Sequence, residues 1–301
     1  MRTPSWQLDA GEPDSPVLLH VPHASRTLPW AVRRRILLDD QALAAELDHM
    51  TDAHTDLLAE RAAVRAGLRP WRFTNRLSRL VVDPERFADE REEMRAVGMG
   101  AVYTRTSYGA PLRSSDRAYE LALLDAYFTP YAAAMTECVA GRLAAAGRAV
   151  VIDVHSYPSV PLPYELHATG PRPAVCLGTD GFHTPGWLLA AAHTAFAGCG
   201  TVALDSPFSG TYVPLAHYGH EPRVAALMVE IRRDGYLAEP AAHRTRAWTG
   251  WPWPWPNWWT PSAPRGGRRA SRRRDSNRRR PRDGCGVPQL LRQCQAREQA
   301  R

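Results

Sequence analysis

Ala149-Val150-Val151-Ile152-Asp153-Val154-His155-Ser156 is an apolar run that ends in an acid and a histidine. Its short, β-branched apolar stretch reads as a strand buried on both faces. Strands of that kind belong to sheets covered by helices on both sides, and such folds build their sites where the strands end. The same design recurs near the start, where Val17-Leu18-Leu19-His20-Val21-Pro22 runs into His23, Ala24 and Ser25. Two strand-terminal histidines and a carboxylate are the donors of a hydrolytic zinc site that keeps one position open for water.

Working outward, apolar spacing predicts a helix over residues 41–66, ending near Gly67. A strand is expected at Leu77-Ser78-Arg79-Leu80-Val81-Val82, closed by Asp83-Pro84. Residues 87–115 read as a long polar loop, which in a compact domain tends to carry function. A long amphipathic helix over 116–146 stops at Gly147, a natural C-cap. Strands follow at 149–154, 174–178 and 201–204, with a helix at 186–197 and a last strand at 224–231. Strands alternating with helices predict one α/β domain over residues 1–243 with a mainly parallel, doubly covered sheet.

The chain has 301 residues and 44% hydrophobic content, enough for a full core. Its charge is uneven. Residues 244–301 hold 15 of the 38 basic side chains but only 3 of the 31 acidic ones, so the pI near 9.5 belongs to the tail and the body is acidic. Six of the ten tryptophans fall between Trp248 and Trp259, among Pro252, Pro254 and Pro256, before the arginine blocks at 268–269, 272–274 and 278–280. Alternating prolines forbid helix and interior strand, and the arginines repel one another. The tail therefore reads as a disordered extension or the aberrant product of a shifted reading frame. A nucleic-acid or membrane-surface arm is the less favoured alternative. Five cysteines form no C-x-x-C pair, the opening lacks a signal-peptide stretch, and no run of roughly 18 apolar residues occurs. A cytoplasmic protein with reduced thiols and no membrane span is expected.

Each chemical motif also has a bland reading. His23 could be a loop histidine bonded to backbone rather than a ligand. Asp52 and Asp56, at i, i+4 on one expected helical face, either form a solvated acidic patch or are relieved by a cation; Asp48, Asp52 and Asp56 all remain candidates. Arg76, Arg79 and Arg86 surround one segment with planar forks suited to carboxylates, although surface ion pairing serves equally for Arg76. Glu230 lies inside Ala225-Ala226-Leu227-Met228-Val229-Glu230-Ile231. A carboxylate buried there would have its pKa raised toward general-base range; an exposed strand end is the alternative. Asp153 could instead orient His155 from behind. A nucleophilic role for Ser156 is disfavoured because no G-x-S-x-G elbow surrounds it.

In chain order the motifs are Pro22-His23-Ala24-Ser25, Thr51-Asp52-Ala53-His54-Thr55-Asp56, Ser78-Arg79 through Asp83 to Arg86, and Asp153-Val154-His155-Ser156. Pro207-Phe208-Ser209-Gly210-Thr211-Tyr212, His217-Tyr218-Gly219 and Val229-Glu230 complete the series. That ordered set, over about residues 17–237, resembles the N-formylglutamate amidohydrolase family. The resemblance implies a three-layer αβα fold with a mainly parallel or mixed sheet, similar to zinc-dependent exopeptidases. It also implies hydrolysis of N-formyl-L-glutamate to L-glutamate and formate, late in histidine breakdown. By the same resemblance His23, Asp52 and His155 would hold Zn²⁺, and Glu230 would be the water-activating base. Arg79 would act in catalysis and, with Arg86, on the substrate carboxylates, while Ser156, Tyr212 and His217 would contact the substrate. The implied partner is a small anionic N-acyl amino acid, not nucleic acid. The chain departs from the family pattern at Asp205, Thr211 and Pro84-Glu85, and in the stretch 157–165, which makes an N-acyl amino acid amidase or carboxypeptidase-like enzyme of different substrate the alternative; a non-catalytic binding protein or an inactive product with an altered C-terminus is the other.

Overall fold

The computed structural model of the chain describes residues 4–165, 169–239, 243–244 and 258–259. Its main strands are β1 (Trp6–Asp9), β2 (Val17–Val21), β3 (Trp71–Asn75), β4 (Ala149–Tyr157), β5 (Val175–Gly178), β6 (Val202–Leu204) and β7 (Val224–Arg232). The helices are α1 (Trp30–Arg33), α2 (Asp40–Met50), α3 (Thr55–Arg65), α4 (Arg117–Leu123), α5 (Thr129–Ala146) and α6 (Gly186–Phe196). The seven strands form one sheet in the order β1-β3-β2-β4-β7-β5-β6. Strands β3, β2, β4 and β7 are mutually parallel, whereas β1 and β5 run antiparallel to β3 and β7. The sheet is therefore mixed, and the fold is α/β as the sequence predicts.

Strand alternation sorts the side chains onto two unlike faces. On one, Val17, Leu19, Ile152, Val154, Leu227 and Val229 pack against Leu58, Ala59 and Ala62 of α3 and Leu188, Ala192 and Phe196 of α6. This face is apolar along the strands up to Ser156 near the end of β4. On the other, Leu18, Val151 and Ala226 pack against Tyr131, Met135 and Val139 of α5. Further along that face come His20 on β2, Asp153 and His155 on β4, and Met228 followed by Glu230 on β7. Burying each aliphatic side chain contributes about 1.5–3 kcal/mol. The first half of each strand thus anchors the sheet and frees the second half for polar groups. Residues 77–128, with α1 and α2, build two further clusters around Leu47, Met50, Leu80 and Tyr103, and around Val32, Val81 and Leu123.

Three local expectations are corrected. The helix expected over 41–66 is two helices, because the chain breaks at residues 51–54 and His54 adopts the left-handed region at φ 66°. Thr55, the first residue of the second helix, donates its hydroxyl to the Asp52 carbonyl and ties the helix start to the break. The strand expected at 77–82 is a turn, and the strand precedes it as β3. Asn75 Oδ1 accepts from Leu77 N and Ser78 Oγ from Leu80 N, and such side-chain bonds compete with sheet pairing. The helix expected at 116–146 is present but interrupted by a wide π turn at Leu124–Phe128, and Gly147 closes it at φ 70°.

The described residues belong to one compact unit, Met1–Pro261. Trp258 packs against its core and Trp259 is fully buried in it, beyond the boundary read at residue 243. The remainder of the Trp/Pro/Arg-rich tail, on which the disordered or aberrant reading falls, lies outside the described residues.

Candidate metal centre and active site

His23 follows the end of β2, His155 sits near the end of β4, and Asp52 occupies the break between α2 and α3. The break is tied to the sheet by Asp52 N, which donates to the His23 carbonyl at 3.0 Å. Three ligand-type atoms converge as a result. His23 Nδ1 and His155 Nδ1 are 3.3 Å apart, and Asp52 Oδ2 lies 3.1 Å from His155 Nδ1 and 3.7 Å from His23 Nδ1. Two ligands about 2.0–2.1 Å from a tetrahedral zinc ion stand roughly 3.3 Å apart, so the spacing fits a divalent ion. All three residues are at most 3% exposed. Two imidazoles facing each other through their Nδ1 atoms, closed by a carboxylate, form a donor set suited to a cation.

The outer atoms of each ligand are also held. His23 Nε2 donates to Asp83 Oδ1 at 2.9 Å, and His155 Nε2 lies 3.1 Å from Asp153 Oδ1. The first contact turns His23 Nδ1 inward, the outer support that metal sites use, whereas His155 Nε2 is buried without a hydrogen-bond partner despite its nearness to Asp153. Asp153 also accepts from His20 Nδ1 at 2.9 Å, and His20 Nε2 is 2.6 Å from the Tyr131 hydroxyl on α5. Asp52 Oδ1 accepts from Arg233 Nη2 at 3.1 Å, which leaves Oδ2 for the shared centre. Arg233 is 6% exposed and also donates to the carbonyls of Ser156 and His49. Asp83 Oδ2 accepts from Arg79 Nη2 at 2.6 Å and from the Tyr103 hydroxyl at 2.5 Å.

Electrostatics follow from this packing. Burial opposes charge on Asp52, but hydrogen bonds to His155 and His23 outweigh it and lower its pKa. Asp153 and Asp83 are likewise held well below the usual carboxylate range despite burial, by His155 and His20, and by Arg79 and His23. Glu230 behaves oppositely. Burial pushes its pKa up to about 7, with His155 pulling it down and Asp52 adding to the rise. Its Oε2 is buried without a hydrogen-bond partner. A carboxyl poised near neutrality, paired in register with a ligand histidine, suits general-base work.

These groups line a cavity of about 780 Å³ with Arg79, Glu85, Arg86, Ser156, Tyr212, Glu230 and Arg233 in its wall. The structure therefore gathers His23, Asp52, His155, Glu230, Arg79, Arg86, Tyr212 and Ser156 at one place. By strand alternation Ser156 points away from His155, and its hydroxyl accepts from Arg233 Nε at 3.3 Å. His217 follows the same loop as Tyr212 but is not in the cavity wall, although its neighbours Ala216 and Tyr218 are. Asp48 pairs with Arg26, and Asp56 opens α3 outside the ligand cluster. Sequence reasoning missed Arg233 and the outer role of Asp83. Arg233 follows Glu230 by three residues, so an arginine just past an apolar strand bearing an acid was the available clue.

Residues 15–237 match a family model described as N-formylglutamate amidohydrolase. Among solved structures the chain is similar to N-formylglutamate amidohydrolase from Ralstonia eutropha JMP134. The TM-score is 0.70 at 24% identity, covering 83% of this chain and 94% of that chain. It is also similar to a gene product of Agrobacterium tumefaciens, with TM-score 0.55 at 21% identity, covering 77% of this chain and 86% of that one. At these identities the structural likeness supports the fold. No curated protein matches the chain.

Proposed function

Because the chain belongs to the N-formylglutamate amidohydrolase family, we propose that it hydrolyses the amide bond of an N-formyl or N-acyl amino acid in a metal-dependent reaction, with N-formyl-L-glutamate as substrate. The observation that carries this reading is the convergence of His23, Asp52 and His155 beside the unpartnered carboxyl of Glu230. A Zn²⁺ ion held by those three residues would supply Lewis-acid chemistry, polarising the amide carbonyl and lowering the pKa of water.

The chain's own residues do the rest. Glu230 takes a proton from the attacking water and returns it to the leaving amine nitrogen, which its neutral-range pKa permits in both directions. Arg79 stabilises the negative charge that develops on the carbonyl oxygen. Arg79 and Arg86 share Asp83 as an anchor, and their remaining donors hold the substrate carboxylates. Tyr212 closes the opposite wall, and its backbone N–H donates to Asp153 Oδ2 at 3.3 Å. Ser156 acts through Arg233, and His217 supports the loop that carries Tyr212. No helix among the described residues is long and apolar enough to cross a membrane, in keeping with a small soluble substrate.

The cavity volume supports one second reading. About 780 Å³ has room for a longer acyl group than formyl, so an N-acyl amino acid amidase of other specificity is the alternative. Turnover of N-formyl-L-glutamate beside a panel of N-acyl amino acids separates the two. For the shared chemistry, His155→Ala abolishes turnover and lowers bound zinc per chain. Full activity in protein stripped of metal would overturn the assignment.

A further inference from the structure

We infer that Glu85 tightens the hold of this chain on its divalent cation by placing a third carboxylate behind the two ligand imidazoles; the inference rests on the metal-dependent reading above. Glu85 Oε2 lies 3.3 Å from His155 Nε2 and 3.4 Å from His23 Nε2. Its Oε1 lies 3.5 Å from His20 Nδ1 and is buried without a hydrogen-bond partner. His23 Nε2 already bonds Asp83, whereas His155 Nε2 is buried without a hydrogen-bond partner although Asp153 Oδ1 lies 3.1 Å away. Glu85 faces both outer nitrogens at once and adds negative charge beside them.

The nearby arginines are engaged elsewhere: Arg79 and Arg86 with Asp83, and Arg233 with Asp52. The groups that face the Glu85 carboxylate are therefore the imidazoles themselves. A carboxylate beside the outer nitrogen of an imidazole makes its inner nitrogen a stronger donor to a metal ion. Glu85 is placed to act in this way on both rings, which favours the loaded state. Its side chain is 15% exposed at the cavity, which leaves it only partly screened by water. Glu85 is thus a positioning residue that acts through the histidines and also one of the places where this chain departs from the pattern it resembles.

The test is Zn²⁺ affinity of the full chain, measured by competition with a chromophoric chelator, for wild type, Glu85→Gln, Glu85→Asp and Glu85→Ala. Removing an outer partner of a metal ligand weakens binding about 10–100-fold. Glu85→Gln keeps the shape and loses the charge, so its Zn²⁺ dissociation constant rises about tenfold or more while the chain stays folded. Glu85→Asp recovers part of the affinity, and Glu85→Ala gives the same comparison should the Gln variant not fold. The absorption bands of bound Co²⁺ are unchanged, because the ligands are unchanged. Equal Zn²⁺ affinity in wild type and Glu85→Gln overturns the inference and leaves the proposed reaction standing. An altered Co²⁺ spectrum makes Glu85 itself a ligand and overturns it too. A wild-type chain that binds no Zn²⁺ removes the metal-dependent reading along with it.

Discussion

His155 on β4 and Glu230 on β7 are register partners on adjacent parallel strands, so their side chains leave the same sheet face next to each other. The proposed ligand histidine and the proposed base are thereby fixed by the backbone ladder itself, on rigid elements rather than on loops. Glu230→Gln keeps the volume and removes the basic oxygen. Turnover falls about 10²–10⁴-fold, the range of one general base, while zinc per chain stays at the wild-type level. Metal analysis alongside initial rates checks this; loss of zinc in that variant would make Glu230 a ligand instead.

Arg233 fills the space behind Asp52, and its acceptors include the buried Asp52 Oδ1 and Ser156 carbonyl and the half-buried His49 carbonyl. Arg233→Met leaves those acceptors unsatisfied. Urea unfolding of the metal-free protein shows a loss of about 3–5 kcal/mol, as expected when one partner of a buried ion pair is removed. A change under about 1 kcal/mol would mean water replaces the guanidinium at little cost.

Burial, and for His23 also Arg79, would make the two ligand imidazoles easier to deprotonate. Glu85 and Asp153 beside His155, and Asp83 and Glu85 beside His23, outweigh that and raise both pKa values above 6.5. The folded chain then binds more protons than the unfolded one from pH 6.5 upward, through the folded pKa values. The stabilisation is complete below 6.5, so the metal-free protein loses stability as pH rises across that window. Zn²⁺ competes with the same protons, and its affinity rises over the same range. Melting curves and chelator titrations at several pH values read the two opposed trends; affinity independent of pH would contradict them.

Gly178 at the end of β5 sits under the cavity wall. A Cβ there would lie 2.4 Å from the Gly210 carbonyl oxygen and 2.3 Å from Met228 Cε. The methionine tip can move, but the backbone oxygen cannot without shifting the loop that carries Tyr212. Gly178→Ala costs about 1–3 kcal/mol of stability, the usual range for overpacking, and raises KM more than it lowers kcat. Wild-type KM in a variant of lowered melting temperature would show the loop to be independent of the strand.

The sequence made His23, His155 and Glu230 legible because each interrupts or ends an apolar run, and position on a strand fixes which face a side chain takes. Asp52 was identified with the wrong scaffold. The apolar spacing of α2 and α3 is continuous enough to read as one helix, and nothing in residues 51–54 marks a break as a glycine or proline would. The edge strand β1 escaped notice because Trp6-Gln7-Leu8-Asp9 pairs on one side only and keeps polar residues. The reversal of β5 against β7 was also hidden, since local pattern carries no information on strand direction. The contacts of Asp83, Glu85 and Arg233 with the histidines and with Asp52 became visible only through distances between segments remote in sequence.

The break between α2 and α3 sets how the molecule can vary. Had residues 40 to 65 run on as one helix, each step would rotate the side chain about 100°, and the acid would no longer be free to turn against the β2 terminus. The kink acts as a joint whose angle determines whether an ion can be caged. Lineages are therefore free to exchange the solvent-facing residues of both helices, but any change that straightens residues 51–54 uncouples the cage while leaving the core intact.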